Sequence, residues 1–276
     1  MLRALLRRLF PTREPRQPKS VPSATEHNVD QLLARFQPLA RPCVRITAKD
    51  TGLDFGNDPL PLTLSKFGGL PFLPVGERWP LSDQGKPTVL LAQLNLSEIP
   101  PFAPLPDHGL LQIFVSDVFE DFHQEPIIIY RTREELEQSA VDRRQIVYSS
   151  PEDFHFSTVH ALSFQVSEDR GCRTDEEFEA EMERLLPDEL GGGLPDELSD
   201  ELFDAYDGNG HQIGGYANFT QYDPRTPGRP ENFQLLQIDS IGTINIGDAG
   251  IIHVFLDPAT IRPGRITGGL FYWDCC

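Results

Sequence analysis

The sequence predicts an α+β fold that is internally duplicated. Mainly antiparallel sheets related by a pseudo-twofold axis are expected, with flanking helices and an acidic helical hairpin between the repeats. Three observations predict it. Short patterns recur in the same order 141 to 146 residues apart, apolar runs of strand length carry those patterns, and a block of acidic residues at helical spacing separates them. Repetition at a nearly fixed period is what duplicated supersecondary units leave in a sequence, and no βαβ alternation suggests a parallel nucleotide-binding sheet.

The elements follow in chain order. Residues 1–22 read as a basic amino-terminal arm: Leu2, Leu5, Leu6, Leu9 and Phe10 stand at helical spacing among Arg3, Arg7 and Arg8, and a Pro-rich polar stretch follows. The arginines interrupt any apolar run and no small-residue cleavage site follows, so a secretory signal is not expected. The rest, 23–276, is expected to be one domain, with repeat one at about 43–166, an acidic insert at about 174–207 and repeat two at about 210–276. Val29, Leu32, Leu33 and Phe36 define one face of a helix that should stop before Pro38. Cys43 to Ala48 then alternates as a strand.

Repeat one contains Phe67-Gly68-Gly69-Leu70, Leu90 to Asn95 (LLAQLN) and Asp107 to Val115 (DHGLLQIFV). Repeat two answers with Ile213-Gly214-Gly215-Tyr216, Gln234 to Asp239 (QLLQID) and Asp248 to Leu256 (DAGIIHVFL). The glycine pairs permit positive φ where an element begins. The central runs suit strands buried on both faces, and Gln93 and Gln237 each bring an amide that must find partners there. Ile127 to Tyr130, Gln145 to Tyr148 and Leu162 to Val166 read as further strands.

Charge is the least ordinary property. There are 24 Lys and Arg against 42 Asp and Glu, a formal -18. Direct capture of nucleic-acid phosphates or of an anionic membrane is therefore disfavoured, and a basic partner is expected. Fourteen acids and a single base, Arg184, lie between Asp175 and Asp207, so most of the net charge sits in 33 residues. Thr174 and Glu177 have capping-box spacing, and Phe178, Met182, Leu185 and Leu186 form an apolar stripe. After Gly191-Gly192-Gly193, Leu198, Leu202 and Tyr206 line a second helix. The carboxylates expected to meet a partner are Asp188, Glu189, Asp196, Glu197, Asp200, Glu201 and Asp204. A charge run is commonly a solvated face. Acids crowded at i, i+4 without bases repel one another, however, and a surface needing only solubility would mix signs.

Cys43, Cys172, Cys275 and Cys276 form no CxxC or Cys/His spacing able to close a metal site, and they read as reduced thiols of a cytoplasmic protein. No metal and no cofactor are expected. No HExxH, phosphate-cradling loop, dinucleotide fingerprint or nucleophile elbow is present. His253 stands in a buried-strand pattern and reads as a hydrogen-bonded core histidine. Asp107 and Asp248, matched across the repeats, each precede x-Gly, where an Asp accepts turn hydrogen bonds. No apolar run approaches the ~20 residues of a membrane span.

The blocks GGLPFLP with Trp79-Pro80, LLAQLN, HGLLQIFV, IGGYANFTQ, LLQID, GDAGIIHVF and the closing FYWDC resemble the YwqG-like family, a bacterial family of unknown function, over roughly residues 24–275. The resemblance implies an α+β protein with an internal duplication and no established enzymatic activity. It also implies a place among toxin and immunity gene sets, and it supplies no catalytic residues. The expectation is therefore a non-enzymatic cytoplasmic binding protein. Its role would be that of an immunity protein whose acidic surface neutralises a basic, nuclease-like toxin. The alternative is an enzyme acting on a small molecule in a cleft between the two repeats.

Overall fold

The computed structural model describes residues 29–116, 123–141, 143, 154–186, 196–226, 228–229 and 232–276. The basic arm, the strand expected at Gln145 to Tyr148 and the triple-glycine link lie outside them. The first helix, α1 (Val29–Phe36), buries Leu32 and Phe36 and stops before Pro38, which opens a 3-10 turn at Gln37–Leu39. Strand β1 (Arg41–Asp54) follows, then β2 (Lys66–Phe67), β3 (Thr88–Asn95), β4 (Leu110–Ser116), β5 (His123–Gln124) and β6 (Ile127–Arg131). The short α2 (Arg133–Gln138) is headed by a capping box between Thr132 and Glu135. After it come β7 (Thr158–Asp169), α3 (Glu176–Arg184), α4 (Asp196–Ala205), β8 (His211–Gly214), β9 (Phe233–Asp239), β10 (Ile251–Leu256), β11 (Gly264–Ile266) and β12 (Leu270–Asp274).

The expected pair of sheets about a pseudo-twofold axis is overturned. The strands form one twelve-stranded sheet in the order β11-β6-β4-β3-β2-β7-β1-β8-β9-β10-β12-β5. Its described pairings are antiparallel. The physical reason is the long central ladder, running from Arg41 opposite Asp169 to Asp50 opposite His160. It seats β1 between β7 and β8, so main-chain hydrogen bonds run without a break from one half to the other. Neither half closes a sheet of its own.

The sheet also curls. β5 continues into β6 across residues 125–126, and β11 into β12 across residues 267–269. The β6–β11 ladder (Ile128 opposite Ile266) is taken up by β5–β12 (Gln124 opposite Phe271). Gly268 N donates to the Glu125 carboxylate at 3.0 Å across the join. Strands at the two ends of the order therefore lie side by side, as in a barrel, where closure removes free edges.

Inward-facing side chains from nearly every strand, among them Val44, Leu91, Leu111, Ile213, Leu236, Ile252 and Phe271, make one apolar core. Each such side chain contributes roughly 1.5–3 kcal/mol on full burial. Outside the sheet, α1, α3 and α4 share a second cluster with Tyr216.

The repeated patterns specify a buried hydrogen-bond device used twice. Gln93 Nε2 donates to the carbonyls of Leu62 and Leu64, and its Oε1 accepts from Phe72 N. Gln237 Nε2 donates to the carbonyls of Gly208 and Gly210, and its Oε1 accepts from Asn218 N. The glycine pairs end β2 and β8 where the reading had them begin an element. Gly69 and Gly215 have φ of 79° and 71°. A Cβ there would meet Asp58 Oδ2 at 2.5 Å and Asp169 Oδ2 at 2.4 Å. The missing side chain lets each carboxylate reach the next backbone amide, Leu70 N and Tyr216 N respectively.

The acidic segment is not a helical hairpin arm. α3 and α4 are separate short helices laid on the body: α4 packs on α1, and α3 on the 3-10 turn. The residues between them, with Asp188 and Glu189, lie outside the described residues. α3 also starts one residue later than the capping-box spacing suggests. Asp175 is the cap, accepting from Glu177 N and Phe178 N. Thr174 Oγ1 instead accepts from Phe219 N and donates to Asn218 Oδ1.

Candidate functional site

The acids of residues 175–207 divide into two classes once their partners are known. Asp175 is buried at the α3 N-terminus, where its carboxylate accepts from Ala217 N and pairs with Arg225 at 2.7 Å. Arg225 is held in turn by Asp223 at 2.6 Å and lies over the rings of Phe219 and Phe255. On α3, Glu177 pairs with Arg41 at 3.0 Å, Glu179 with Arg173 at 3.2 Å and Glu181 with Arg184 at 2.6 Å. The hydrogen bond from Arg41 holds the Glu177 carboxyl below the usual carboxylate range. Arg35 Nε donates to Leu185 O, closing the end of α3 against α1. Three of the five α3 acids are thus paired within the molecule, whereas Glu176 and Glu183 make no ion pair among the described residues.

α4 differs. Leu198, Leu202 and Tyr206, four residues apart, are buried against α1 and α3, and Phe178 meets Tyr206 at 5.1 Å between ring centroids. A helix with one buried stripe turns its other side to water. That side carries Asp196, Asp200, Glu201 and Asp204, all exposed, with Phe203 among them at 52% exposure. Among the described residues no ion pair reaches these four carboxylates, and α4 has no base in its last turn. On the helix, Asp196, Asp200, Phe203 and Asp204 follow the i, i+4, i+7, i+8 spacing of a single face. The result is a row of like charges around an exposed ring. A negative field of this kind extends about one Debye length, ~8 Å at physiological salt.

Of the sequence-predicted set, the structure thus gathers Asp196, Asp200, Glu201 and Asp204 on one helix; Glu197 occupies the same helix. Asp188 and Glu189 fall outside the described residues. Phe203 was missed by the sequence reading. Its signal was an apolar residue off the Leu198-Leu202-Tyr206 stripe, flanked by acids.

His160, His211, His253 and the Lys66–Asp58 pair are built into the core. His160 Nδ1 and Nε2 lie 2.9 Å from Thr158 O and 2.8 Å from Thr243 Oγ1. His211 Nδ1 accepts from Asp239 N at 2.9 Å. Burial pushes the His211 imidazole down to about 4 and His253 to about 3. His253 stacks on Phe255 beneath Tyr272. Lys66 and Asp58 form a wholly buried pair at 2.5 Å. The Asp248 main-chain carbonyl accepts from Cys276 N. The interior of the sheet, where a cleft between repeats would lie, is filled by apolar side chains. No cluster of His, Cys, Asp and Glu able to hold a metal occurs among the described residues, and no helix among them is long and apolar enough to cross a membrane.

A family model described as a domain of unknown function, DUF1963, matches residues 65–275, which is most of the chain and includes α4. No curated protein matches it.

Proposed function

We propose that this chain, which belongs to the DUF1963 family of unknown function, is a non-enzymatic cytoplasmic binding protein that captures a basic protein through the exposed face of α4. The partner class we propose is a nuclease-like toxin, which the chain would neutralise as an immunity protein. The observation that carries this reading is the unspent charge of α4: four exposed carboxylates with no described base, ordered by a buried stripe and centred on an exposed Phe203. A nuclease binds its substrate in a basic groove. An acidic helix that enters or covers the groove competes for the same cations, and complementary potentials also speed encounter. An aromatic ring at the centre of a charged patch is the kind of anchor that carries binding energy at interfaces. The resemblance of the repeated blocks to the YwqG-like family, with its place in toxin and immunity gene sets, supports the same class of partner.

The test is capture from extracts of the native host at low and moderate salt, with the unaltered chain and with Asp200→Lys, Glu201→Lys as bait. A basic protein that is retained by the first, lost with the second and weakened by salt is the expected result. Recovery of no basic protein, or equal recovery by both baits, refutes the reading.

A further inference from the structure

Strand β7 runs from Thr158 to Asp169, but its neighbour β2 pairs with it only at His160 and Ala161. One further bond, Leu162 N to Ser65 O at 3.1 Å, ends the contact. The cause lies in the chain before β2. Gln93 Nε2 donates to the carbonyls of Leu62 and Leu64, Asn95 Nδ2 donates to that of Thr63, and Asn95 N donates to the Ser65 hydroxyl, so this segment is held toward β3 and leaves β7. Hydrogen-bonding direction alternates along a strand. Leu162 turns its main-chain groups toward β2, so those of Phe164, Val166 and Glu168 turn the same way, and among the described residues no main-chain group meets them. Ser163, Gln165, Val166 and Glu168 are exposed, Val166 at 50%.

Free edges are ordinarily guarded by charge or proline, because they template pairing with another chain. On the far side of the same ladder β1 obeys this: past Ile46, where its pairing with β8 ends, it carries Lys49, Asp50 and Asp54. Leu162 to Ser167 has no charge, Pro or Gly, in a chain of formal charge -18. The stretch Ser163-Phe164-Gln165-Val166-Ser167 also reads nearly alike in both directions about Gln165. A twofold axis through Gln165 sets two such strands antiparallel, with Phe164 opposite the second copy's Val166 and Ser163 opposite its Ser167. The parity fits. Phe164 and Val166 both turn main-chain groups outward, so they make the hydrogen-bonded pairs, and an aromatic ring beside a β-branched side chain is a favourable cross-strand pair. A strand offered to an unlike partner needs no such symmetry.

We propose that the β7 edge is a self-association surface: a second copy of this chain adds its own β7 antiparallel about Gln165, joining the two sheets across a twofold axis. The pairing uses up the edge in both copies, so it closes at a dimer and does not propagate. A single strand pair buries less than the ~1,000 Å² of a stable interface, so the dimer is reversible and concentration-dependent. This goes beyond the proposed function and does not use α4.

The test follows the mass of the full chain by sedimentation equilibrium from about 1 μM to about 300 μM. A monomer that gives way to a dimer is expected, and added salt should strengthen association about threefold, because two copies of like net charge repel. Gln165→Lys, at an exposed position the fold tolerates, sets two ammonium groups on the axis and should weaken association roughly tenfold or more. Register is read with single cysteines placed in a chain carrying Cys275→Ser and Cys276→Ser. Facing residues of a non-hydrogen-bonded pair have Cα atoms about 4.5 Å apart, within disulfide reach, so Gln165→Cys should link two copies on mild oxidation. Ser163→Cys alone, ~14 Å along the ladder from its own counterpart, should not, whereas a mixture of the Ser163→Cys and Ser167→Cys chains should. A chain that stays monomeric throughout, larger oligomers, association indifferent to Gln165→Lys, or equal self-linking by the Ser163→Cys and Gln165→Cys variants overturns the proposal. None of these outcomes bears on α4, whose partner capture weakens with salt where this association strengthens.

Discussion

Arg225 donates to the Asp175 carboxylate at 2.7 Å with both side chains almost wholly buried. The same carboxylate caps α3 through Glu177 N and Phe178 N. Asp175→Ala therefore removes a helix cap and a buried counter-charge together, and it should cost about 3–5 kcal/mol in urea unfolding. Glu177→Ala breaks a pair that is half in water and should cost less than about 1 kcal/mol. Equal losses would contradict the division of this acidic segment into structural and available charge.

The Lys66–Asp58 pair is fully enclosed. Lys66→Met alone leaves a buried carboxylate without its cation, a loss of about 3–5 kcal/mol. Adding Asp58→Asn should recover part of that loss, so a double-mutant cycle is expected to show strong coupling. Additive effects would contradict a direct ion pair.

Gly69 and Gly215 combine positive φ with a carboxylate where a Cβ would sit. Gly215→Ala should lower stability by more than about 2 kcal/mol. At Gly76, which has positive φ but open space around it, Ala should cost only about 1–2 kcal/mol. Thermal midpoints of the two variants make the comparison.

Burial lowers the imidazoles of His155 and His211 to about 4 and that of His253 to about 3. The unfolded chain titrates near pH ~6.5. Below that value the unfolded state binds protons that the folded state refuses, so stability is complete above the unfolded pKa and is lost as pH falls toward 4. Each such histidine contributes up to about 1.4 kcal/mol per pH unit within that window. Urea midpoints should therefore drop between about pH 7 and pH 5, and His211→Asn should flatten the slope. A midpoint unchanged over that range would contradict neutral buried histidines.

Local signals in the sequence were readable where the physics is local. The face of α1, the apolar runs of β3, β4, β9 and β10, and the amides of Gln93 and Gln237 follow from spacing alone. The neighbour of a strand does not. Periodicity marks Cys43 to Ala48 as a strand without saying that it lies between β7 and β8, and that pairing decides between two sheets and one. The acids of α3 and α4 likewise look alike in sequence. Only the distant partners Arg41, Arg173 and Arg225, brought in by the fold, separate spent charge from free charge. Thr174 and Asp175 are both good caps, and the choice between them was made by Asn218 and Phe219, some forty residues away.

The most direct measurement is partner retention by three full-length baits: the unaltered chain, an α3 reversal (Glu176→Lys with Glu183→Lys) and an α4 reversal (Asp200→Lys with Glu201→Lys). The account predicts that a basic protein stays bound to the first two and that association with the third slows roughly tenfold or more. Equal retention by all three, or loss on the α3 reversal alone, would contradict it.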